Sequence, residues 1–137
     1  MSKDMSMIET ITHQTQVLCL IIRKDFLPER TTFLTSPEYK QQLGYIVYPA
    51  GGEIARHVHR PLERHIVGTS ETVLVRKGHC LIDIYNDARE FVTTCELSEG
   101  DVMIMVSGGH GYRMVEDTIL MEIKTGPYTG VDEKELF

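Results

Sequence analysis

The sequence predicts an all-β domain, a sandwich or barrel of short strands. Three observations carry this. Apolar runs of four to eight residues recur at short spacing, each closed by glycine, asparagine or aspartate turn residues. No helical period of ten residues or more runs between Leu43 and Lys124. The chain has 137 residues, 42% hydrophobic and 25% charged, which suits one domain with one core. No internal repeat and no linker divides it, so residues 1–137 are read as a single domain with its barrel core at about 43–124.

Taken in order, Met1 to Thr15 is polar and unpatterned and is expected to be a loose arm. Val17–Ile22 is a strand, and its exposed edge invites a second chain, so a homodimer is expected. The stretch "PERTTFLTSPEYKQQ" has two prolines and no clear apolar period. It reads as loop, with one helical turn after Ser36. Leu43–Tyr48 is a strand that stops at the turn Pro49-Ala50-Gly51-Gly52. Strands follow at Glu53–His59, Thr72–Arg76, His79–Tyr85, Phe91–Leu97, Val102–Val106, Tyr112–Val115 and Ile119–Lys124. The turns between them are Lys77-Gly78, Asn86-Asp87, "SEGD", the glycine loop "SGGHG" and Glu116-Asp117, and the tail ends in a last helical turn.

Charge and cysteine usage exclude several function classes. A net charge of −6 argues against nucleic acid, which demands a basic face, and no Lys/Arg run longer than two residues suggests an anionic membrane partner. Three cysteines, Cys19, Cys80 and Cys95, form no C-x-x-C pair and read as buried hydrophobes of a reducing compartment. No basic segment leads into a long apolar run at the N-terminus, so a cytoplasmic protein is expected.

The chemistry concentrates around "GGEIARHVHRPLERHIVGTSETVLVRKG", residues 51–78. On a strand of period two, Glu53, Ala55, His57 and His59 share one face, and the two imidazoles stand roughly 7 Å apart, able to converge on one ion. Glu71 opens the next strand and His110 follows a later one between two glycines. His57, His59, Glu71 and His110 together make a nitrogen and oxygen set for one divalent transition metal: Fe, Ni, Zn, Co or Mn. Glu63, three residues after His59, competes with Glu71; Glu71 is favoured because it begins a strand, a rigid support for a ligand. Pro61–Ser70 then becomes a loop over the mouth that carries Arg64 toward a substrate anion. Tyr112 lines the mouth or caps the core. Glu122 and Lys124 share a face of the last strand, either in water as a pair or inside as a charged pair for a polar ligand.

Gly51, five residues, His57-Val58-His59, then Glu71, six residues and Gly78 resemble the first motif of the cupin superfamily. Gly100-Asp101, the strand Val102–Val106 and His110 resemble its second. Eleven residues separate His59 from Glu71. "SGGHG", the acidic turn, the last strand and "GPY" are similar to small single-domain bacterial cupins of unassigned activity. The resemblance implies a jelly-roll barrel with a metal inside one mouth. It does not transfer a reaction, because one fold hosts many. Three functions are expected in descending order. The first is a metal-dependent enzyme of oxygenase or isomerase type on a small oxygen-rich metabolite, with Glu71, Arg64 and Tyr112 at the chemistry. The second is a non-catalytic binding or sensing cupin. The third is a metal-free sugar isomerase or epimerase, with histidine as base and tyrosine as acid.

Overall fold

The computed structural model describes residues 7–137, with only the backbone of 131 and 132. Ten strands appear and no α-helix among the described residues: β1 Ile8–His13, β2 Gln16–Ile22, β3 Thr32–Phe33, β4 Gly44–Tyr45, β5 Glu71–Lys77, β6 His79–Tyr85, β7 Phe91–Ser98, β8 Val102–Met105, β9 Gly109–Met114 and β10 Ile119–Lys124. They form three antiparallel sheets, none closed on itself: β1-β2-β8-β5-β10, β7-β6-β9 and the small β3-β4 pair.

The two larger sheets share one core. Leu18, Cys19 and Ile21 of β2, Val73 and Val75 of β5, and Met103 and Met105 of β8 meet Cys80, Ile82 and Ile84 of β6 and Leu97 of β7. The outer face of β2 and β8 is also covered. Leu20, Ile22 and Ile104 pack with Phe26, and Leu34, Leu43 and Tyr45 from the β3–β4 region lie against them. A strand buried on both faces reads as an unbroken apolar run, which explains "VLCLII". At Leu18 the alternation breaks: Ile11 pairs with Cys19 and Thr12 with Val17, leaving Leu18 as a bulge whose side chain joins Cys19 in the main core.

Several expectations are corrected. Ile8–His13 of the supposed loose arm is a strand, paired along its length with β2; Met1–Ser6 lie outside the described residues. Val17–Ile22 is therefore not an edge, since β1 and β8 flank it. Leu43–Tyr48 shortens to Gly44–Tyr45, and Glu53–His59 forms no strand. The turn at Ser36–Tyr39 is closed by one backbone hydrogen bond and is not helical. The glycine loop is mostly strand, because β9 begins at Gly109 and pairs with β6 from Tyr85↔Gly109 to Cys80↔Met114.

Two turns need glycine. At Gly78 φ is +97°, and an added Cβ would stand 2.3 Å from the Asp117 carbonyl oxygen; at Gly108 φ is +79° and the Tyr85 carbonyl oxygen lies 2.2 Å away. The first joins β5 to β6 beside the β9–β10 turn. The second lets β9 enter its sheet with His110 two residues on.

Candidate functional site

Strand register decides which side chains face inward. On β6, Ile82 and Ile84 are fully buried, and their partners on β9 are Tyr112 and His110. His110 and Tyr112 therefore share the inner face, while Gly111 and Arg113 face out. On β5, Glu71 alternates with the buried Val73 and Val75 and also turns inward. Glu71 and His110 thus arrive from opposite sheets, and Nε2 of His110 stands 3.0 Å from Oε1 of Glu71, both side chains about one-fifth exposed (18% and 22%). The rings of His110 and Tyr112 are 5.5 Å apart, edge to face.

Glu71 is pulled down to about 2, chiefly because His110 hydrogen-bonds its carboxylate, with a further hydrogen bond from Glu122 and the charge of Lys124 outweighing its burial. Glu122 moves the opposite way, raised by the hydrogen bond it shares with Glu71, by burial and by Glu71's charge. Tyr112 is raised well above the usual phenol range by burial, with the Glu71 carboxylate adding to it. With Nε2 of His110 turned to Glu71, the other ring nitrogen, Nδ1, faces away from that carboxylate. That Nδ1 and the Tyr112 hydroxyl are buried and have no hydrogen-bond partner among the described residues. Buried polar atoms left this way mark places where a fold serves something other than its own stability.

Register adds two residues that the sequence pattern ranked below the others. Lys124 pairs with Glu71 and Glu122 with Val73, so both lie on the inner side of β10. They remain largely solvent-accessible, with their own ion contact of 3.9 Å and a second from Lys124 to Glu133 at 3.5 Å. The signal was present in the alternation of the last strand; what was missing was the pairing partner.

The remaining expected residues are elsewhere. His57 and His59 lie on an extended segment without secondary structure, their rings 5.1 Å apart, and residues 48–69 are exposed throughout. Glu63 lies in the same exposed stretch. Arg64 and His65 line a shallow open hollow with Pro37, Glu38, Tyr39 and Lys40, which does not include Glu71 or His110. Among the described residues no three His, Cys, Asp or Glu side chains are gathered to hold a metal. Glu71 and His110 offer two donors, fewer than the three protein ligands of a usual catalytic metal site. Within one chain the donor set therefore does not fit a metal until His57 and His59 join it. No helix is long and apolar enough to cross a membrane among the described residues.

No family model, no curated protein and no solved structure matches the chain.

Proposed function

We propose that this protein is a metal-dependent enzyme of cupin type, with the strands of a jelly roll, acting on a small oxygen-rich metabolite between the two large sheets. The observation that supports it most is the meeting of Glu71 and His110 from opposite sheets, 3.0 Å apart, beside the buried Tyr112 hydroxyl. These are two of the four residues whose types and spacing suggest a ligand set. A bound divalent ion would supply Lewis-acid stabilisation of developing negative charge. The chain's own residues have separate tasks. Glu71 fixes the orientation of the His110 ring. Tyr112 presents a hydroxyl toward the same space. Lys124, at the open side, suits a substrate carboxylate or phosphate.

A second reading is favoured by the same hydrogen bond. An imidazole oriented by a carboxylate, with a phenol beside it, is an acid–base pair that works on a sugar without metal. Elemental analysis of anaerobically purified protein separates the two. Stoichiometric Fe, Ni, Zn, Co or Mn, lost in His57→Ala and His59→Ala, supports the first. Metal-free protein that turns over sugars supports the second. In the metal reading, Glu71→Ala lowers metal affinity more than Glu63→Ala; the reverse ranking moves the ligand to the exposed segment. Oxygen uptake and product formation by the Fe(II)-loaded protein, across enediols, hydroxy acids and sugars, tests catalysis. Reversible binding with no turnover under any divalent metal leaves a sensor or carrier.

A further inference from the structure

β9 and β10 belong to different sheets and are joined by the turn at 115–118. Their other ends, Gly109 and Lys124, flank the candidate site: Gly109 precedes His110, and Lys124 pairs with Glu71. Residues 128–137 run from one of these ends to the other. At the β10 end, Nζ of Lys124 lies 5.6 Å from the centre of the Tyr128 ring. The 3-10 turn Gly130–Glu133 then brings the Glu133 carboxylate to 3.5 Å from the same Nζ. At the β9 end, Glu135 forms an ion pair with Arg89, and the Arg89 guanidinium lies 5.5 Å over the Phe137 ring. Phe137 stands edge-on to Tyr85, ring centres 5.1 Å apart. Gly109 makes room for it, since a Cβ there would stand 3.1 Å from the Phe137 ring. The segment thus spans the gap between the two sheets at the end where Glu71 meets His110.

The two anchors differ in kind. At the β9 end Arg89 and Glu135 are 52% and 74% exposed, and an ion pair so open to water holds loosely. At the β10 end the Glu133 side chain is only 13% exposed, and Lys124 is its one ion partner among the described residues. A carboxylate therefore already sits on the cation that faces the site. Behind it lie the two buried polar atoms without partners, Nδ1 of His110 and the Tyr112 hydroxyl. A small molecule with an anionic end on Lys124 could turn its remaining oxygens to them. Replacing one carboxylate by another on the same ammonium leaves the charge balance unchanged, so the cost of the exchange is mainly that of releasing the loose anchor.

We propose that residues 128–137 form a strap across the mouth of the site, in which the Glu133 carboxylate holds the place on Lys124 of an incoming carboxylate or phosphate and is displaced by it. The strap itself stands on the contacts above; its exchange for a ligand rests on Lys124 being the substrate's anchor, as in the proposed function.

Closure is tested by the rate at which diethyl pyrocarbonate modifies His110, read by peptide mass spectrometry. His79, at the opposite end of β6, is the internal control. In Arg89→Glu/Glu133→Gln, modification of His110 is expected to rise about fivefold, the change in open fraction that loss of two weak ion pairs gives, with His79 unchanged. Exchanging the charges in Arg89→Glu/Glu135→Arg brings the rate back toward that of the wild type. Equal His110 rates in all chains, or a charge exchange that reacts as fast as Arg89→Glu alone, overturn the strap. Where His79 also speeds up, the variant has loosened as a whole, and the unaltered chain decides through amide NMR. Malonate and, separately, inorganic phosphate are titrated in at constant ionic strength. The Glu133 amide signal is expected to move toward its position in Lys124→Gln, and to stay still in Lys124→Gln itself. Movement with malonate alone identifies a carboxylate ligand, and with phosphate alone a phosphoryl one. No movement with either overturns the displacement and removes Lys124 as an anchor. Neither measurement involves a metal or turnover, so failure of the metal reading leaves both results standing.

Discussion

At the scale of single residues, the side chains in the candidate site are separable from those that only hold the fold. The Tyr112 hydroxyl has no hydrogen-bond partner among the described residues although it is buried. Removing an unsatisfied buried hydroxyl costs nothing in hydrogen bonding and relieves about 1 kcal/mol of desolvation. Tyr112→Phe is therefore expected to be as stable as the wild type or more so in urea denaturation, while turnover falls by roughly a hundredfold or more if the phenol moves a proton. Asp83, on the outer face of β6, behaves in the opposite way. It accepts two hydrogen bonds from Arg113, 2.9 and 2.7 Å, and one from Thr94 at 2.6 Å. These hold its carboxyl below the usual range, Arg113 being the larger cause. A carboxyl depressed in the folded state stabilises above its unfolded value, and that stabilisation disappears as pH falls through its folded value. Arg113→Gln is expected to raise the Asp83 value measured by carboxyl NMR titration. It should lower the melting temperature at neutral pH, and the two proteins should converge in acid.

At the scale of elements, one buried carboxylate ties three segments together. Asp101 sits in the turn before β8, where its amide donates to the Ser98 carbonyl at 2.9 Å. Its carboxylate accepts from the Ser98 amide, the Lys24 amide and Arg23, at 2.9, 3.0 and 3.0 Å. Arg23 reaches on to Glu9 of β1 at 2.7 Å. Asp101→Ala leaves two amides and a guanidinium without that acceptor, and a loss of about 2–4 kcal/mol is expected from chemical denaturation. The turn resembles a second cupin motif in its Gly100-Asp101 pair, yet the aspartate's observed contacts are those of a structural cap. In the core, Ile82→Ala removes a fully buried side chain from between the sheets, for an expected loss of about 2–5 kcal/mol. β1 carries no period-two signature, because "IETITH" has only Ile8 and Ile11 as large apolar members and they stand three residues apart; its partner β2 makes it a strand. Glu53–His59, by contrast, sets Ile54 and Val58 opposite His57 and His59 and stays unpaired, which shows that period two specifies which residues share a face and not whether a partner edge is reached.

At the scale of the molecule, far-ultraviolet circular dichroism should be dominated by β-structure, since the described residues hold ten strands and one 3-10 turn, Gly130–Glu133. Hydrogen exchange should find the amides of β2 and β6, whose side chains fill the core between the two large sheets, the slowest in the chain, and those of the exposed stretch 48–69 among the fastest.

The sequence by itself determined the all-β class, most strand positions from Glu71 onward, the glycine turns, and the residue types of the candidate site. Each of these is written in local period or local turn chemistry, so a window of a few residues suffices. Only the tertiary structure decided that Glu71 meets His110, that Glu122 and Lys124 stand on the same side, and that β2 is sealed on both faces rather than left as an edge. The displacement of His57 and His59 from that pair is likewise a tertiary result. Register between strands distant in sequence, such as β5 with β8 and β6 with β9, depends on which faces a whole core must bury. No local pattern holds that information.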